Sequence, residues 1–97
     1  MKKLSEKEVA ELLVGHEDWK RKGDAIVKTF TLPSFADAIA FVTRLAFDAE
    51  GMDHHPDLQI SYKKVTVSWS THDAGGLTAK DFTGAAQSDM IAAKFAR

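Results

Sequence analysis

Two short runs of alternating apolar residues, separated by a pair of lysines, constrain the fold of this chain more than any other feature. Leu58, Ile60 and Tyr62 are the apolar positions of the first run, and Val65, Val67, Trp69 and Thr71 keep the same phase in the second. A period of two marks a half-buried strand, so the runs read as a β-hairpin closed by the two-residue loop Lys63-Lys64. In that register Tyr62 faces Val65, Ile60 faces Val67 and Leu58 faces Trp69, and extending the ladder sets His55 opposite His72. Both imidazoles then share the polar face with Asp57, Gln59, Ser61, Thr66, Ser68 and Ser70, with facing Cβ atoms about 5 Å apart. Two features work against this register. Lys-Lys is a poor pair for a tight turn, and Pro56 takes a donor out of the ladder.

The remaining elements follow from caps and periods. Ser5-Glu6-Lys7-Glu8 has the form of a capping box and Leu4 with Val9 that of a hydrophobic staple, which predicts a helix running to about Val14 and stopped by Gly15. Trp19 to Lys22 and Ala25 to Leu32 read as a second hairpin around Gly23-Asp24. Trp19, Ile26, Phe30 and Leu32 lie on its apolar face, with Lys28 as an exception on that same face. Ser34 is a good N-cap, Asp37 sits in the first turn behind it, and Phe35, Ala38, Ile39, Val42, Leu45, Ala46 and Ala49 recur with helical spacing. Gly51 is the expected C-terminal cap, and His55 is biased to extended geometry by the proline after it. Asp73-Ala74-Gly75-Gly76 reads as a loop. Thr78 with Asp81, and Leu77 with Phe82, announce a last helix reaching about Phe95.

The order α-β-β-α-β-β-α predicts an α+β fold: a four-stranded antiparallel sheet with three helices packed on one face. With 97 residues the chain is expected to form a single domain, residues 1–97, whose core is small enough to make oligomerisation unsurprising. A net charge of -1 and a pI near 6.4 give no electrostatic reason to bind nucleic acid or an anionic membrane. The chain has no cysteine, so it has no disulfide framework and no thiol nucleophile. Met1 to Leu13 is broken by charges and lacks the apolar core of a signal peptide, and no run is long enough to cross a bilayer. A soluble, cytoplasmic protein is expected.

An imidazole titrates near pH 6.5, at about which one ring can give a proton while another takes one. A pair of them across a small substrate suits an elimination in which a hydroxyl leaves as water and a neighbouring N–H or C–H is deprotonated. His55 and His72 are the candidates for that pair. His54 is expected to point away from His55 and to be structural, His16 is read as structural, and Asp81 is first a capping carboxylate and second a group that could orient an imidazole. Trp19 and Trp69 are read as core residues. A metal site of His54, His55, His72 and Asp73 is disfavoured, since adjacent residues of an extended chain diverge and no tight ligand motif is present. No metal and no cofactor are expected.

Glu50-Gly51-Met52-Asp53-His54-His55-Pro56, then Tyr62-Lys63-Lys64-Val65, Ser70-Thr71-His72-Asp73, Gly76-Leu77-Thr78 and Asp81, taken in order, resemble the pterin-4a-carbinolamine dehydratases. The likeness covers nearly the whole chain and is strongest from Glu50 to Asp81. It implies an α+β fold, homodimers or homotetramers, and dehydration of 4a-hydroxytetrahydrobiopterin to the quinonoid dihydropterin. That reaction restores the tetrahydrobiopterin used by aromatic amino-acid hydroxylases. It also implies His54, His55 and His72 as catalytic residues, adding His54 to the pair read from the strands, with Asp81, Pro56, Thr71 and Asp53 as supporting or substrate-binding positions. Many members have tryptophan two residues after the proline, where this chain has Leu58, a position that the strand phase turns into the apolar face. The same fold resembles proteins that assist assembly or act as dimerisation partners, so a non-catalytic binding module is the alternative.

Overall fold

The structure, a computed structural model, describes residues 2–96, so the expected domain of residues 1–97 extends one residue beyond the described residues at each end. Its elements are α1 (Glu6–Val14), β1 (Lys20–Lys22), β2 (Ala25–Thr31), α2 (Phe35–Met52), β3 (Asp57–Ser61), β4 (Lys64–Trp69) and α3 (Ala79–Ala93), with one 3-10 turn at His72–Ala74. The four strands form an antiparallel sheet in the order β1-β2-β4-β3.

The caps are built from the residues the sequence offers. Ser5 Oγ accepts the Glu8 N–H at 3.1 Å and Glu8 Oε1 accepts the Ser5 N–H at 2.8 Å, which closes the capping box of α1. Ser34 Oγ accepts the Asp37 N–H at the start of α2. The C-terminus of α2 departs from expectation. The helix continues through Gly51 and Met52, and Asp53 is the cap, left-handed at φ 54°. Its N–H donates to Glu50 O and the His54 N–H donates to Ala49 O, both at 3.1 Å, the paired bonds of a Schellman motif. Aspartate tolerates this backbone region better than most non-glycine residues, so the helix need not stop at the glycine.

The β3–β4 register is also a correction. Ile60 pairs with Val65, Leu58 with Val67 and Asp57 with Ser68, so the loop is Tyr62-Lys63, with Tyr62 at φ 55°, rather than Lys63-Lys64. The displacement is two residues, which preserves every face assignment while moving every partner. The ladder ends at Asp57, and continuing it would bring Ser70, not His72, opposite His55.

Ile26, Phe30, Val65, Val67 and Trp69 are the buried residues of β2 and β4, and they pack with Ala38, Phe41, Leu45 and Ala49 of α2 and Phe82, Ala85 and Ile91 of α3. Both α2 and α3 touch each other and β4. Lys28, the exception on the apolar face, reaches Asp89 of α3 at 2.7 Å. The other oxygen of Asp89 accepts the Trp19 indole N–H at 3.0 Å. The ammonium also lies 4.7 Å over the Phe30 ring, so the cation on this face has both a counter-ion and an aromatic partner. Against β4, α3 presents Gly84, where a Cβ would lie 2.5 Å from the Trp69 indole. The helix therefore approaches the ring at a distance only glycine permits.

Candidate active site

Two connections meet at one end of the sheet, the one entering β3 and the one leaving β4. The left-handed Asp53 turns the chain out of α2 so that His54 faces inward and is buried, while His55 faces solvent. After β4, Thr71 pairs with Gly76 in an isolated bridge, and the 3-10 turn between them exposes His72 and Asp73. The two connections enclose a pocket of about 230 Å³ lined by Asp53, His54, His55, Ser70, Thr71, His72 and Asp73. All three expected histidines line it, brought together by convergent loop ends rather than by strand pairing.

The His54 ring is held from two directions. Its ring stacks on Trp69, with centroids 5.5 Å apart and planes 22° apart. Its Nε2 lies 2.6 Å from Asp81 Oδ1. Asp81, fully buried, also accepts the Thr71 hydroxyl at 2.8 Å and the Thr78 N–H at 2.9 Å on Oδ2. Since the Thr71 proton goes to Asp81, the hydroxyl of Thr78, 2.8 Å away, donates to Thr71. A carboxylate that accepts at Nε2 requires that nitrogen to carry a hydrogen, which leaves Nδ1 as the free acceptor of a neutral ring. Among the described residues no buried side-chain nitrogen or oxygen lacks a partner. Nδ1 of His54 has no protein partner among the hydrogen bonds described, so it keeps accessible surface, and His54 is a lining residue of the pocket. Asp81 is thus both the capping carboxylate and the group that orients an imidazole.

His55 Nε2 lies 2.5 Å from Glu50 Oε1 at the surface, a pair worth little to stability that nonetheless orients the ring. Pro56 is half-buried beside it and does not line the pocket. Trp19 and Trp69 are buried, as expected of core residues. His16 packs edge-on against Phe82 and donates Nδ1–H to Leu12 O, a structural role. The sequence reading names Glu50 and Ser70 in its motifs without giving either a site role, and it does not foresee the stacking of Trp69 on His54. Of these, Glu50 could have been noticed, since it stands five residues before His55 at a helix end. Among the described residues no group of three or more His, Cys, Asp or Glu side chains is placed to hold a metal ion.

The family model described as pterin 4 alpha carbinolamine dehydratase matches residues 2–91 of this chain. A protein of Roseiflexus castenholzii, provisionally named a pterin-4-alpha-carbinolamine dehydratase, is 57% identical over 88 residues, covering 91% of this chain and 95% of its own. A similarly named protein of Sulfurisphaera tokodaii is 45% identical, covering 94% and 98%. Among solved structures, a transcriptional coactivator/pterin dehydratase from Brucella melitensis superposes with a TM-score of 0.89 at 33% identity, covering 93% of this chain and 98% of the other. A pterin dehydratase-like RuBisCO assembly factor of the alpha-carboxysome shares the fold, with a TM-score of 0.63 at 24% identity, covering 76% and 86%.

Proposed function

This chain belongs to the pterin 4 alpha carbinolamine dehydratase family, and from that premise we propose that it is a hydro-lyase dehydrating a 4a-hydroxytetrahydropterin to the quinonoid dihydropterin. The observation that carries this reading is the convergence of His54, His55 and His72 on one pocket. In the reaction the C4a–O bond breaks, the hydroxyl leaves as water after receiving a proton, and loss of the N5 proton lets the C4a=N5 double bond form. His54 is the base. Its Nε2–H is committed to Asp81, so Nδ1 takes the N5 proton, and the buried carboxylate stabilises the imidazolium that results. His55 and His72, exposed on the opposite connections, supply the proton for the departing hydroxyl. Asp53 and Thr71 line the pocket as substrate-binding positions, Asp81 positions His54, and Pro56 directs the chain into β3. The natural substrate is 4a-hydroxytetrahydrobiopterin or a close analogue, and the setting is cytoplasmic tetrahydrobiopterin recycling beside an aromatic amino-acid hydroxylase. Among the described residues no helix is long and apolar enough to cross a membrane.

A second reading has its own observation. Phe35, Ile39 and Phe47 of α2 are exposed large apolar residues, Phe47 at 72%. Such a stripe suits protein contact, either between copies in a homodimer or homotetramer or with another protein that the chain would serve as a dimerisation or assembly partner.

The test is turnover of enzymatically generated 4a-hydroxytetrahydropterin by the purified protein and by folded His54→Ala, His55→Ala and His72→Ala variants. The expected result is acceleration above the spontaneous rate, reduced roughly a hundredfold or more in His54→Ala and reduced in the other two. No acceleration by the intact protein would transfer the assignment to the binding module.

A further inference from the structure

A second cavity, of about 250 Å³, shares lining residues with the first and is lined by Asp53, His54, Thr71, Asp73, Ala74 and Lys80. Four of those residues, Asp53, His54, Thr71 and Asp73, line both cavities, so His54 stands at a seam with His55 and His72 on one side and Lys80 on the other. Each cavity alone falls short of the roughly 300–1,000 Å³ usual for small-molecule sites. Their volumes taken together reach that range.

We propose that the site is bipartite, and that the Lys80 compartment receives the substituent on C6 of the pterin, a neutral polyhydroxylated chain. The inference rests on the dehydratase reading and extends it to the substrate's side chain. C4a, N5 and C6 are consecutive ring atoms, so a C6 substituent leaves the ring one atom from N5, the position His54 serves. With the ring between His54, His55 and His72, that substituent crosses the seam. The compartment it enters is lined by one basic and two acidic residues, Lys80, Asp53 and Asp73. Hydroxyl groups satisfy both kinds of partner, because they accept from Lys80 and donate to the aspartates. A phosphorylated substituent meets an excess of negative charge.

The experiment is calorimetric binding of three stable 7,8-dihydropterins, bearing methyl, trihydroxypropyl, or the phosphate ester of that chain at C6. They are measured against the intact protein, Lys80→Met and Lys80→Arg. Lys80 is half-buried in the first turn of α3, and circular dichroism verifies folding of the variants. The intact protein should prefer trihydroxypropyl over methyl by about tenfold or more, the scale of one charge-assisted hydrogen bond. Lys80→Met should abolish that preference, Lys80→Arg should retain most of it, and the phosphate ester should bind more weakly than the free chain. A preference that survives Lys80→Met, tightest binding of the phosphate ester, or no binding of any dihydropterin would overturn the inference. Dehydration assays run beside the titrations separate the two readings. Turnover without dependence on Lys80 removes only the compartment, whereas Lys80-dependent binding without turnover removes the dehydratase reading and leaves the compartment standing.

Discussion

The Asp81 carboxylate accepts hydrogen bonds from a helix N-cap, a threonine hydroxyl and an imidazole at once. An amide in its place must turn its NH₂ toward one of those donors. Asp81→Asn should therefore lower the unfolding free energy by about 1–3 kcal/mol, the cost of an unsatisfied buried polar contact, measured by urea denaturation. Under the proposed mechanism it should also lower kcat by roughly a hundredfold while His54 remains in place. Full activity in the Asp81→Asn variant would remove Asp81 from the positioning of His54. The three histidines and Asp81 stand in plain view in the sequence. What could not be read there is that His54, expected to be structural because it diverges from His55, diverges toward the pocket. The left-handed turn at Asp53 sets that direction, and no period or spacing argument predicts which way an irregular backbone aims its next side chain.

Helix N-caps were legible to the residue, because the groups that satisfy one another lie three or four positions apart. Those of α1 have a pH consequence. Glu8 is held below its ordinary 4.5 by the Ser5 backbone and hydroxyl, and Glu6 is held below 4.5 by its hydrogen bond and ion pair to Arg21. A depressed carboxyl pKa in the folded chain contributes stability in full above the unfolded value and loses it as pH falls through the folded value. Amide exchange in α1 should accelerate relative to α2 as pH drops from about 5 to about 3. Glu8→Gln should flatten that response, and an unaltered response in the variant would detach it from the cap. The C-terminal end of α2 and the turn of the β3–β4 hairpin were less legible. Gly51 and Lys63-Lys64 were reasonable stops, yet Asp53 and Tyr62 adopt the left-handed conformations instead. Both turns accept the cost of a positive φ at a non-glycine residue, about 1–2 kcal/mol.

Across the whole molecule, Asp89 joins the sheet to α3 through Lys28 and Trp19, partners 61 and 70 residues away in sequence. Asp89→Ala strands a partly buried ammonium and an indole N–H, and should cost about 1–2 kcal/mol in chemical denaturation. Adding Lys28→Met should recover part of the loss, since the unpaired charge is then gone. Strict additivity of the two changes would show that the pair is not coupled. By itself the sequence determined the α+β class, the order of elements and the alternating faces of β2, β3 and β4, because periods and caps are decided by energies acting within a few residues. Tertiary structure decided the hairpin register, the inward turn of His54, its union with Asp81 across 27 residues, and the ion pair that makes Lys28 acceptable on an apolar face. Each of those depends on which distant groups the packed core brings within hydrogen-bonding distance, where a buried polar group must find a partner or leave the position.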